Sequence, residues 1–313
     1  MAMSTRTASI TPTTPAGFVL DFFIACRPMQ WQKNLLLFAA FLFSARAAWT
    51  LEDPDSWQPL LLTAFGAFWL FNAIASGEYL LNDAVDVEQD RLHPRKRFRP
   101  IASGRVPLPA AYVGGAVLVL GGVIGAFVLD VNFGMIAAGY AAMIATYSLW
   151  LKRVVIVDVV VIASGFALRA AAGAVVIDVP ISPWLFVCTT LGALFIAVAK
   201  RRQELVLLSG DAAAHRGVLA EYTLDVLDQM SSVAASATIV TYALYVVTAE
   251  NLPANHSMLL TLPFVLYGVF RYRLIAEQQP EKNADELISR DVPLLLSVLL
   301  FGLSAFAVLA VDW

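Results

Sequence analysis

The chain has 313 residues, 59% of them hydrophobic and 14% charged, with a formal net charge of −3 and a mean hydropathy of +0.72. So few charges cannot cover that much apolar surface in water, which excludes an ordinary soluble globular protein. The near-neutral charge balance also gives no reason to expect a nucleic-acid partner.

Residues 1–16 (MAMSTRTASITPTTPA) are polar, rich in Thr and Pro, and lack an apolar stretch. They predict a disordered cytoplasmic tail rather than a signal peptide, leaving 17–313 as one membrane domain. Apolar runs of about 20 residues then recur, each long enough to cross a lipid bilayer as a helix. Nine spans are expected, at about 34–50, 58–81, 108–129, 132–150, 154–177, 183–199, 230–249, 257–273 and 292–311. Lys and Arg concentrate in 1–33, 82–107, 151–153, 200–229 and 274–291. The alternate connectors carry Glu52, Asp53, Asp55, Asp130, Asp178, Glu250 and Asp312, and no Lys or Arg. Basic connectors mark the cytoplasmic side, so the N-terminus is expected inside and the C-terminus outside. Trp49, Trp57, Trp150 and Trp184 fall near span ends, as interfacial anchors would. Cys26 and Cys188 sit in or beside apolar runs and read as packing residues.

Span two ends in Gly77-Glu78-Tyr79-Leu80-Leu81-Asn82-Asp83-Ala84-Val85-Asp86-Val87-Glu88-Gln89-Asp90. Asn82, Asp86 and Asp90 fall at i, i+4 and i+8, with Asp83 three before Asp86, so their oxygens share one side of a helix. Like charges this close need a counter-charge. Mg2+, with oxygen ligands and vacancies for substrate phosphates, is the economical choice, with Asp83, Asp86, Asp90 and Asn82 as ligands. Charges at a span end are also more often functional than solvated charges elsewhere. His93-Pro94-Arg95-Lys96-Arg97-Phe98-Arg99-Pro100 follows immediately. Orientation needs only one or two of those bases. Acid and base side by side describe a pocket for a magnesium-bridged diphosphate, with Arg95, Lys96 and Arg99 over the phosphate oxygens. His93 is expected to serve the loop.

Farther on, Tyr147-Ser148-Leu149-Trp150-Leu151-Lys152-Arg153 makes a short basic turn between spans four and five. Its bases read either as a topology signal or as phosphate contacts. Arg169 lies mid-span, where a charge is costly without a cavity or partner; structural pairing and contact with a lipid phosphate are equally open. The run Ala170-Ala171-Ala172-Gly173-Ala174 predicts a helix-packing surface. After span six comes Ala199-Lys200-Arg201-Arg202-Gln203-Glu204-Leu205. The two long basic connectors, 82–107 and 200–229, are four spans apart, which suggests two related four-helix halves.

The stretch Asn82-Asp83-x-x-Asp86-x-x-x-Asp90 resembles the aspartate-rich motif of the UbiA superfamily of intramembrane prenyltransferases. The resemblance implies an all-α membrane protein with nine transmembrane helices around a central cavity, and an Mg2+ cofactor on a diphosphate. That family's usual pattern carries a second motif, DxxxD, after span six. Here that place is basic, with Glu204 the only carboxylate before Asp211. Three consecutive bases suit direct contact with phosphate oxygens. Arg27-Pro28-Met29-Gln30-Trp31-Gln32-Lys33-Asn34, Arg95–Ile101 and Lys200–Leu205 narrow the resemblance to the decaprenyl-phosphate phosphoribosyltransferases of mycobacteria and relatives.

That resemblance implies transfer of phosphoribose from 5-phosphoribosyl 1-diphosphate (PRPP) to decaprenyl phosphate, toward cell-wall arabinogalactan and lipoarabinomannan. It implies an inner-membrane enzyme with a cytoplasmic site; a homo-oligomer is left open. Asp83, Asp86 and Asp90 would be catalytic, carrying magnesium with Asn82. Lys33, Asn34, Arg95, Lys96, Arg99, Tyr147, Lys152, Arg153, Lys200, Arg202, Gln203 and Glu204 would bind substrate. The alternatives are prenyl transfer to an aromatic acceptor, which the missing DxxxD pair disfavours, and a non-enzymatic transporter of an anionic lipid.

Overall fold

The computed structural model describes residues 15–207, 217–279, 282 and 284–310, and among these the regular structure is helical. Most of the expected tail, Asp211 and the terminal Asp312–Trp313 lie outside the described residues. The longer elements are α1 (Pro15–Ala25), a 3₁₀ segment (Pro28–Phe38) leading into α2 (Ala39–Phe43), α3 (Pro54–Val85), α4 (Val87–Leu92), α5 (Leu108–Leu129), α6 (Val131–Leu149), α7 (Val157–Val176), α8 (Pro183–Leu207), α9 (Leu224–Thr248), α10 (Leu262–Gln278), α11 (Ala284–Arg290) and α12 (Val292–Ala310).

Among the described residues, seven helices are long and apolar enough to cross a membrane: α3, α5, α7, α8, α9, Ser257–Gln278 and α12. They coincide with seven of the nine expected spans. The other two expectations, 34–50 and 132–150, meet the 3₁₀–α2 segment and α6, which fall outside that set. The first is the larger departure. Helix there starts at Pro28 and stops at Phe43, and 44–50 turns back on itself.

Local chemistry sets the helix ends. Asp53 precedes Pro54 and accepts from Asp55 N, an N-cap with Pro at the first position. Asp130 closes α5 and caps α6 by accepting from Phe133 N at 2.7 Å, so two helices reverse within one residue. Packing then relies on missing side chains. A Cβ on Gly77 of α3 would meet Gly115 O of α5 at 2.6 Å. One on Gly173 of α7 would collide with Leu37 O of the 3₁₀ segment. Such close backbones are how helices associate where lipid removes the hydrophobic drive. Ala170, Ala171, Ala172, Gly173 and Ala174 are all buried, as a packing surface requires.

Of the expected anchors, Trp150 is exposed, whereas Trp49 is 4% exposed. It stacks on Phe41 at 4.7 Å and donates Nε1 to Phe41 O at 2.8 Å, so it is core. Cys26 and Cys188 are both free.

Candidate active site

The acidic motif sits where α3 gives way to α4. Asp86 N still bonds Asn82 O at 2.9 Å and Asp90 N bonds Asp86 O at 2.8 Å, so the helical register survives the break at Asp86. Its carboxylates nevertheless divide. Arg99 Nη1 donates to Asp83 Oδ1 at 3.1 Å and to Asp90 Oδ2 at 2.6 Å. Arg27 Nη2 donates to the same Asp83 oxygen at 2.5 Å, and Lys96 Nζ lies 3.9 Å from Asp90 Oδ1. Asp86 goes elsewhere: both its oxygens accept from Lys152 Nζ at 2.8 Å. The turn between α6 and α7 thereby closes on α3.

Asp83 and Asp90 are each 3% exposed. Burial pushes the Asp90 carboxyl above its ordinary value, while Arg99 and then Lys96 pull it back. Arg27 occupies left-handed backbone, φ 54°, a conformation costing about 1 kcal/mol or more for a non-glycine residue. Its guanidinium also lies 4.7 Å over the Tyr79 ring. Arg27 was not among the residues expected to bind substrate. Its position just before the first span, in Arg27-Pro28-Met29-Gln30-Trp31, was the available signal.

His93 Nδ1 accepts from the backbone N–H groups of Arg95 and Lys96 at 3.2 and 3.3 Å, a loop role as expected. Arg95 and Arg153 are exposed. Lys33 is half-buried.

A second cluster forms around α8. Arg201 is 1% exposed and donates Nε to Asp158 at 2.5 Å, Nη1 to Glu204 at 2.7 Å and Nη2 to Tyr147 OH at 3.1 Å. Tyr222 donates to the other Asp158 oxygen at 2.8 Å and accepts from Ile156 N at 2.7 Å. Burial pushes the Tyr222 phenol up to about 12, so it is a fixed donor near neutral pH. Glu204 and Tyr147 thus meet through Arg201, while Asp158 and Tyr222 were not anticipated. Arg202 turns to α9, with Nε 2.7 Å from Asp228. Gln203 is 2% exposed with neither amide atom hydrogen-bonded, and Lys200 is half-buried.

Deeper, α3 and the 3₁₀ segment share polar contacts: Trp31 Nε1 donates to Ser76 at 3.0 Å and Asn34 Nδ2 to Asn72 Oδ1 at 2.6 Å. Arg169 donates Nε to Asn34 at 2.6 Å, Nη2 to Tyr140 at 2.6 Å and Nη1 to Gly165 O at 2.9 Å. Arg169 is therefore structurally paired, and Asn34 is committed to this knot at 1% exposure.

No group of three metal-ligating side chains converges among the described residues. The donor set still fits a hard cation. Arg99 Nη1 already sits between oxygens of Asp83 and Asp90, in a place where positive charge is stable.

The UbiA prenyltransferase family model matches residues 35–299. The chain belongs to that family. Decaprenyl-phosphate phosphoribosyltransferase of Mycobacterium tuberculosis is 33% identical over 285 residues, covering 91% of this chain and 93% of that protein. The protein of the same name from Mycolicibacterium smegmatis is 36% identical over 293 residues, covering 91% of each. A UbiA homologue from Archaeoglobus fulgidus, solved bound to GPP and Mg2+, superposes with TM-score 0.69 at 17% identity over 93% of this chain and all of that one. That likeness is one of fold. This UbiA-family member is accordingly a multi-pass membrane transferase.

Proposed function

We propose that this UbiA-family member transfers 5-phosphoribose from PRPP to decaprenyl phosphate, giving decaprenylphosphoryl-5-phosphoribose and diphosphate, with a role in supplying arabinose for cell-wall polymers. The observation that carries this reading is the rim: three carboxylates, each held by partly exposed bases, at the end of α3. A metal-bound diphosphate exchanges with such pairs, taking carboxylates through its metal and bases through its oxygens. Support comes also from the two well-covered relatives of that name. Rival prenyl transfer to an aromatic acceptor has the family's fold behind it, but this chain is basic at Lys200–Arg202, where the usual second acidic motif would stand.

Asp83, Asp86 and Asp90 would hold magnesium, with Asn82 in support. When bound, the metal neutralises charge on the departing diphosphate. Arg27, Arg99, Lys96 and Lys152 bind its oxygens, with Arg95 and Arg153 at the edge and Lys33 toward the sugar. Tyr147, Lys200, Gln203 and Glu204 close the opposite side. The lipid phosphate is already an anion near neutral pH, so it attacks C1 without a general base. One C–O bond forms as the C1–diphosphate bond breaks, with inversion. Catalysis is then positioning and charge stabilisation.

Residues 17–313 form the catalytic domain in this reading, the polar N-terminus is a tail, and nine segments cross the inner membrane. The 3₁₀ rise lets even Pro28–Phe43 reach about 30 Å, the thickness of the hydrocarbon core. The rim then faces the cytoplasm, with the N-terminus inside and the C-terminus outside.

Purified protein in detergent, given PRPP, decaprenyl phosphate and Mg2+, should release diphosphate and form a phosphoribosyl lipid. Turnover of a prenyl diphosphate with an aromatic acid, and none with PRPP, overturns the proposal.

A further inference from the structure

Between the rim and the Arg169 knot, α3 carries a carboxylate that neither of them uses. Glu78 is 6% exposed and forms no hydrogen bond or ion pair with any described residue. It precedes Asn82 and Asp86 by four and eight positions, so the three share one face of α3. The bond from Asp86 N to Asn82 O keeps that register to the end of the helix. Lys152 reports where the face points: toward the α6–α7 turn. Tyr140 of α6, in the same interhelical space, lies within electrostatic reach of Glu78. Four residues of helix place Glu78 about 6 Å deeper than Asn82.

A carboxyl group removed from water is kept at a cost unless donors reach its oxygens. The other buried carboxylates nearby are served: Asp83 and Asp158 each accept from two donors, and Asp90 accepts from Arg99 with Lys96 3.9 Å away. Among the described residues Glu78 has none, so its oxygens are open to donors that a ligand brings. A phosphate is excluded by like charge. Hydroxyl groups fit, because two carboxylate oxygens accept from two neighbouring hydroxyls. The depth suits a sugar: with the diphosphate proposed at the rim, a ring extending inward from Asp83 along α3 would meet Glu78 about one to two turns further in.

We propose that Glu78 is a specificity residue that accepts hydrogen bonds from the pentose hydroxyls. The assignment rests on the phosphoribosyl reading above. A carboxylate there also favours the positive charge that develops on the ring as diphosphate departs.

The test measures inhibition of PRPP turnover by ribose 5-phosphate and by 2-deoxyribose 5-phosphate, with diphosphate plus Mg2+ as a third inhibitor that reads the rim alone. Wild-type protein should favour the ribose compound by about 10-fold or more, the loss expected when a charged acceptor misses its donor. Glu78→Gln should bring the two sugars to within about 2-fold of each other and leave diphosphate inhibition unchanged. Should that variant fail to insert, Glu78→Asp keeps the charge, withdraws it by one methylene and should give an intermediate ratio. Equal inhibition by both sugars in the wild type overturns the assignment, as does an unchanged ratio in Glu78→Gln with diphosphate inhibition intact. No PRPP turnover by the wild type instead removes the phosphoribosyl reading on which it rests.

Discussion

The two charged clusters use similar residues in opposite ways. At the α3–α4 rim, Arg27, Arg99 and Lys152 keep 26%, 28% and 16% of their side chains exposed while pairing with aspartates. Around α8, Arg201 and Asp158 are at 1% and 0%. A pair whose base is partly exposed costs less to open, because water and ligand oxygens can take over that base, even where the carboxylate, as at Asp83 and Asp90, is buried. A buried pair cannot open without stranding a charge in low dielectric. In the proposed reading the rim bases exchange onto substrate, whereas Arg201 is locked into the fold, bonded to Glu204 and Tyr147.

The contrast can be broken by mutation. Asp86→Ala should lower turnover more than about 100-fold with membrane insertion intact, because it removes charge aimed at the reaction; near-normal activity of the inserted variant would end the metal assignment. Arg201→Ala should instead cost about 3–5 kcal/mol of stability by leaving Asp158 buried without a counter-charge, with only the Tyr222 hydroxyl on it. Thermal unfolding in detergent reads this, and an Arg201→Met/Asp158→Leu double variant should recover much of it; a double variant as unstable as the single would show that the pair itself is essential. Lys152→Ala should lower kcat/KM about 10-fold or more, the value of a charged hydrogen bond. Arg202→Ala, whose guanidinium faces Asp228, should change it less than about 3-fold; equal losses would erase the distinction between rim and periphery.

The smallest effect concerns Asp291, which Arg271 grips at 2.7 Å, holding its carboxyl below the usual range. A depressed folded-state pKa stabilises above the unfolded value of about 4 and is lost as pH falls through the folded one. Asp291→Asn should therefore lower Tm slightly at pH 6, with the difference vanishing in acid. A gap that persists in strong acid would rule out the charge as its cause.

Much of the architecture was legible because lipid imposes a simple rule: a span must be apolar and long. Seven expected spans needed nothing more. Residues 34–50 misled because apolarity there continues past Phe43 into Ser44–Thr50, where Trp49 packs back onto Phe41. The aspartates and the bases after them were equally legible as a constellation. Their partners were not, since helical spacing puts Asp86 and Asp90 on one side yet leaves open which cation each meets. Arg202 and Gln203 adjoin Arg201 in sequence, but a helix turns successive residues about 100° apart. One faces Asp228, another is sealed among helices, and only Glu204 lies within reach of Arg201.

Composition and local pattern by themselves determined the membrane class, the helical content and the location of the acidic motif, because each depends on short-range chemistry. Tertiary structure alone decided that Arg27 and Arg99 share Asp83, that Lys152 ties α6–α7 to Asp86, and that Glu78 has no donor among the described residues. Those are meetings between residues 16 to 66 positions apart, or the absence of one. They are set by how bare helix faces such as Gly77, Gly115 and Gly173 let backbones approach, a quantity no single stretch of chain encodes.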